Sequence, residues 1–186
     1  MFRGGFGRPF RRFPADIPPA LQRANEIMGQ GDFPAAAAAF EQLARAAEGK
    51  GGPRAAWLYL QGVRARLLNR QSDLGVALLQ QGLGLFAERA EPALLWRAGR
   101  GIVDELQGRG LVDEAGRIED FIWMKLPAGF SPTPGPAEER QPLLPTTCPG
   151  CGAPLRPDEV GWVDALTVEC PYCGSTVRAG NHLPKN

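Results

Sequence analysis

All four cysteines of this 186-residue chain fall in two matching frames, Cys148-Pro149-Gly150-Cys151-Gly152 and Cys170-Pro171-Tyr172-Cys173-Gly174, with eighteen residues between the pairs. Nothing else in the sequence restricts the fold as tightly. Two residues inside each pair let one short turn present both sulfurs to the same ion, and the separation of the pairs suits a two-knuckle metal module. The glycine after each second cysteine supplies a permissive backbone, and the proline after each first one stiffens the approach. Tetrahedral zinc takes thiolates at about 2.3 Å, and four of them leave no open position for water or substrate. The expected content is one structural Zn²⁺ held by Cys148, Cys151, Cys170 and Cys173, without catalysis at the metal.

Other uses of four thiols fit less well. Disulfides need an oxidising compartment, and no secretory signal is visible. Iron–sulfur clusters also take four thiolates, but two-residue spacings inside a β-prone segment favour zinc. Cys170-Pro171-Tyr172-Cys173 is also a dithiol motif, yet that chemistry needs it at a helix N-terminus early in a larger fold. Only thirteen residues follow Cys173 here. Val160–Val163, Leu166–Glu169 and Ser175–Arg178 read as short strands around the two knuckles. The segment from Cys148 to about Ala179 resembles the zinc-ribbon family. With so few large apolar residues it depends on its metal, and structural zinc contributes roughly 10–16 kcal/mol in small modules.

Between Ile17 and Leu126 the apolar residues recur at helical spacing, as in the stripes Ile17, Ala20, Leu21, Ala24, Ile27, Met28 and Leu111, Ala115, Ile118, Ile122, Leu126. Breaks at 29–32, 49–53, 69–73, 91–92 and 108–110 divide it into helices near 17–29, 34–48, 54–70, 73–88, 92–108 and 111–126. Gly31-Asp32-Phe33, with Ala36 and Phe40 after it and Ala24 and Ile27 before it, carries the turn and second-helix pattern of a tetratricopeptide repeat. Ala65, Leu68, Ser72, Leu74 and Ala77 form a second copy, and Val103, Leu106, Gly110, Val112 and Ala115 a third. The region resembles a short tetratricopeptide-like array. The expected fold is therefore mainly α: about three antiparallel helical hairpins, a Pro-rich linker and a small C-terminal β ribbon. Trp57, Trp96, Phe121 and Trp123 are expected as core or cap residues.

The resemblance implies that first-helix residues line a concave groove. Counted from the small-residue positions these are Asn25, Tyr59, Arg66, Asn69, Arg97, Arg100, Asp104 and Gln107. Three arginines and two asparagines against one aspartate suit an acidic peptide or a C-terminal carboxylate.

Domain limits follow at 1–15 (an Arg/Phe/Gly-rich tail), 16–126, 127–147, 148–180 and 181–186. The 127–147 stretch holds six prolines. As a flexible chain it spans roughly 25 Å, which is expected to let the ribbon move independently of the helices. Net charge is +1, but residues 1–14 carry +4 from four arginines and the ribbon with its tail carries −1. A ribbon that grips phosphates needs a basic surface. His182 lies beyond a complete four-sulfur set and is not expected to be a ligand. No phosphate-binding loop, nucleophile–histidine pair or carboxylate pair points to an enzyme. The apolar runs are too short for a membrane span, and a cytoplasmic location is expected. The sequence thus suggests a non-enzymatic zinc-binding adaptor that docks proteins through the groove and the ribbon. The alternative is a nucleic-acid-associated regulator using the ribbon and the arginine-rich tail.

Overall fold

The computed structural model describes residues 17–132 and 142–180. The tails, His182 and residues 133–141 of the expected linker lie outside them. Among the described residues six helices come first: α1 (Pro19–Gly29), α2 (Phe33–Glu48), α3 (Ala55–Leu68), α4 (Ser72–Glu88), α5 (Pro92–Gly108) and α6 (Val112–Lys125). Each lies within two residues of its expected limits. Three short strands follow, β1 (Gly161–Asp164), β2 (Thr167–Glu169) and β3 (Thr176–Arg178), in one antiparallel sheet of order β1-β2-β3. The fold is mainly α with a small C-terminal β module, as expected.

The helix ends explain the hairpins. Asp32 caps α2 by accepting a hydrogen bond from the Ala35 amide at 3.1 Å, which satisfies one of the free donors of its first turn. The turns after α3, α4 and α5 share one design. Gln71, Glu91 and Leu111 each donate their amide back five residues, to Arg66, Phe86 and Leu106, at 2.9, 2.9 and 3.0 Å. The residue before each, Arg70, Ala90 or Gly110, has a positive φ, which closes a Schellman-type cap. These turns recur every twenty residues along the chain, and only the last uses glycine.

Neighbouring helices stack, α1 on α2, α2 on α3, α3 on α4, and α4 on both α5 and α6. Helix α3 is the centre of the molecule, with every residue from Ala55 to Ala65 buried, Gln61 and Arg64 included. A helix covered on all sides needs partners on all sides. Helices α2 and α4 supply two of them, and the β module supplies the third.

The expectation of an independently moving ribbon is not met. Buried residues of the helices and of the β module, among them Ala153, Leu155, Val160, Val168, Tyr172 and Val177, belong to one hydrophobic core. The β module also begins upstream of the first knuckle. Leu143 bridges to Gly180 and Thr147 to Pro154, so residues from 143 onward, read from sequence as linker, are part of its pairing. At the start of that stretch Phe130 packs on Trp96, with ring centres 6.4 Å apart. Proline content signals a chain without periodicity, but it does not say whether that chain spans solvent or lies on a surface.

Candidate metal centre

Both knuckles are built by the same backbone bonds. In the first, Gly152 donates to the Cys148 carbonyl at 2.9 Å and Cys148 donates to Ala153 at 2.8 Å; in the second, Gly174 donates to Cys170 at 2.8 Å and Cys170 to Ser175 at 2.9 Å. Gly152 and Gly174 have φ of 75° and 78°, the left-handed region that the sequence reserved glycine for. The antiparallel sheet returns the chain so that the second knuckle faces the first.

The four sulfurs, all buried, lie within 4.8 Å of one another. Cys148 Sγ is 3.7 Å from Cys173 Sγ, and Cys151 Sγ is 3.8 Å from Cys170 Sγ. A tetrahedron with thiolates about 2.3 Å from its centre has edges of about 3.8 Å, so the observed separations fit one thiophilic ion. They are far from the ~2.05 Å of a disulfide, and these two contacts each join one knuckle to the other. The shared protons oppose each other. Hydrogen bonds from Cys151 and Cys170 pull the Cys173 thiol well below its ordinary range, while the bond to Cys170, with burial, drives Cys151 far above it. Thiols arranged in this way exchange their protons for a cation as it binds.

The helical array grips the centre from outside. On α1, Asn25 donates to the Cys151 carbonyl at 2.7 Å and to Leu21 at 3.0 Å, and Gln22 donates to Gly150 at 3.0 Å. At the N-cap of α3, Arg54 pairs with Glu169 at 3.0 Å, and on the helix Trp57 meets the Tyr172 ring edge-on with centres 6.4 Å apart. Arg64 reaches the heart of the interface. It forms a two-pronged ion pair with Glu159 and donates to the Tyr172 hydroxyl at 3.1 Å. Tyr172 in turn donates to Glu159 at 2.6 Å. Glu105 of α5 adds a second carboxylate, 3.5 Å from Arg64 and 3.6 Å from Arg156. Burial opposes the Arg64 charge, but the Glu159 and Glu105 carboxylates outweigh it and hold its pKa above the ordinary arginine value. Burial also raises Tyr172, so its hydroxyl stays protonated as the donor to Glu159.

The eight groove residues proposed from sequence divide. Among the described residues, Asn25 is the one of the eight that hydrogen-bonds to the β module. Tyr59 donates to Glu48 at 2.5 Å and accepts from Gln81 at 2.7 Å, facing α2 and α4. Arg66 pairs with Glu41 at 2.6 Å and donates to Gln71. Arg100 pairs with Asp104 at 3.0 Å and with Glu119 at 2.9 Å, and lies over the Trp96 ring. Arg97 and Asn69 are half-buried, and Gln107 is exposed. The residues that hold the β module, Gln22, Arg54, Trp57, Arg64 and Glu105, were not singled out as contacts. A signal existed: Gln61 and Arg64 interrupt an otherwise apolar turn sequence in α3, and a charge there requires a partner.

Comparison with known proteins finds no family model, no curated protein and no solved structure that matches this chain. The class therefore rests on geometry: a six-helix array whose alternate helices α1, α3 and α5 hold a small β module around a buried four-cysteine cluster suited to a metal ion.

Proposed function

We propose that the protein is a non-enzymatic adaptor of the cytoplasm, in which a zinc ribbon is seated on a tetratricopeptide-like array. One observation carries this reading. The inner helices α1, α3 and α5 already bind a folded protein surface, using backbone carbonyls of the first knuckle and a buried ion pair beside the second. These are the means by which helical arrays recognise protein partners. Zinc is the ion of choice because a closed set of four thiolates in tetrahedral spacing is the usual structural zinc site.

The reading predicts about one zinc per chain by elemental analysis of protein prepared without chelators. It also predicts that the immobilised zinc-loaded chain retains a protein from an extract of its source cell at 0.15 M salt. Retention of nucleic acid instead, lost with rising salt and with removal of residues 1–14, would overturn it in favour of the regulator.

A further inference from the structure

The face of α3 beneath the β module is chemically unlike the rest of the core. Arg54, Trp57, Gln61 and Arg64 share one stripe of the helix at spacings of three and four residues. Gln61 is 1% exposed, and neither of its amide atoms has a hydrogen-bond partner among the described residues. Arg64 is 6% exposed and shared between Glu159 of the β module and Glu105 of α5. Burying so much polarity weakens a core that apolar residues would serve better. A recognition surface has a use for it, because buried polar groups discriminate between ligands.

What the β module offers this face is specific: a carboxylate from Glu159 and a phenol ring from Tyr172, within hydrogen-bonding distance of each other. Both depend on the metal centre for their placement. Tyr172 sits between the ligands Cys170 and Cys173, and Glu159 lies on the segment joining the knuckles. The module's own buried apolar residues are mainly small, Ala153, Val160, Val168, Val177 and Ala179 with Leu155, too few to hold that arrangement without a staple.

We propose that the Arg64 face of α3 is a binding site for a protein segment presenting a carboxylate beside an aromatic ring, and that the metal-loaded β module occupies it in cis. Loss of the metal frees the module, leaves Trp57, Gln61, Arg64 and Glu105 uncovered on a standing array, and opens the site to the partner. The proposal rests on the adaptor reading and names the surface and the ligand chemistry that such an adaptor uses.

Hydroxyl-radical footprinting of the full chain tests it. Chelating the zinc should raise oxidation of Trp57 severalfold and leave Phe40, deep in the array, unchanged; restoring zinc should reverse the effect. The doubly substituted chain with Glu159→Gln and Tyr172→Phe should keep its zinc and still show Trp57 more reactive than in the unsubstituted chain. A synthetic peptide copying residues 156–172, with Cys170→Ser, should protect Trp57 again in the chelated chain. The same peptide further altered at Glu159→Gln and Tyr172→Phe should not. Unchanged Trp57 on chelation, Phe40 labelled along with it, a doubly substituted chain as protected as the original, or equal behaviour of the two peptides overturns the proposal. A chain that fails here yet retains its partner from extract binds through another surface, which leaves the adaptor reading standing.

Discussion

Arg64 decides how the two parts of the molecule meet, because a guanidinium so deeply buried must keep its carboxylates. Replacing Glu159 with alanine strands that charge with Glu105 alone, and removing one partner of a buried pair costs about 3–5 kcal/mol. The midpoint of urea unfolding at neutral pH should fall accordingly; a change within error would mean that the pair is solvated. Gln61 works in the opposite sense. Its amide, without a hydrogen-bond partner among the described residues, carries a desolvation penalty of about 1–3 kcal/mol, so Gln61→Met should leave the protein as stable or more stable in the same assay. Tyr59 gives a pH signature. Burial and the bond to Glu48 raise its hydroxyl above the ordinary value, so its contribution is intact below the unfolded pKa of about 10 and is lost as the pH climbs beyond it. Unfolding free energy measured from pH 9 upward should decline less steeply in Tyr59→Phe. The position of Arg64 was only half legible in the sequence. A charged residue inside an apolar helix shows that a partner exists, but the partner lies ninety-five residues away, and no local pattern encodes that distance. Counting a groove from small residues favoured Tyr59 and Arg66, on a part of α3 that the structure turns toward α2 and α4.

At the level of elements, helix period and breakers located the six described helices: five carry a buried stripe, and α3, buried on all sides, is delimited by the breaks at its two ends. Which turn residues adopt a positive φ was less legible. Gly31 and Gly110 announce themselves, whereas Arg70 and Ala90 take the same conformation through the Schellman bonds of their turns, at φ of 57° and 55°. The glycines within α4 show what packing adds to propensity. A Cβ on Gly82 would lie 2.9 Å from Tyr59 Cβ and 3.4 Å from the Ala56 carbonyl, whereas one on Gly84 would meet nothing within 4 Å. Gly84→Ala should therefore gain up to about 1 kcal/mol from reduced backbone entropy. Gly82→Ala should lose about 1–3 kcal/mol, because α3 and α4 must part to admit the methyl. Thermal melts of the two variants should move in opposite directions, and equal shifts would contradict the close approach of α3 and α4 at this point.

At the scale of the whole molecule the structure departs from the sequence reading in the relation of the C-terminal module to the helices. The cysteine frames, the knuckle glycines and the strand pattern were all legible, since each is a local requirement of bringing four thiols together. Docking was not, because it depends on contacts among Asn25, Trp57, Arg64, Glu105 and Tyr172, residues drawn from four separate segments of the chain. Their joint burial couples the stability of the array to that of the β module packed on it. Any ligand that binds the folded chain alone stabilises all that folds with it. The most direct measurement is thermal unfolding followed by helical circular dichroism, with zinc and after chelation. Such coupling predicts that chelation leaves the helical signal largely in place at 20 °C but lowers its melting temperature by more than about 5 °C, the effect of losing a few kcal/mol of interface in a chain of this size. A helical transition at the same temperature with and without the metal would contradict it.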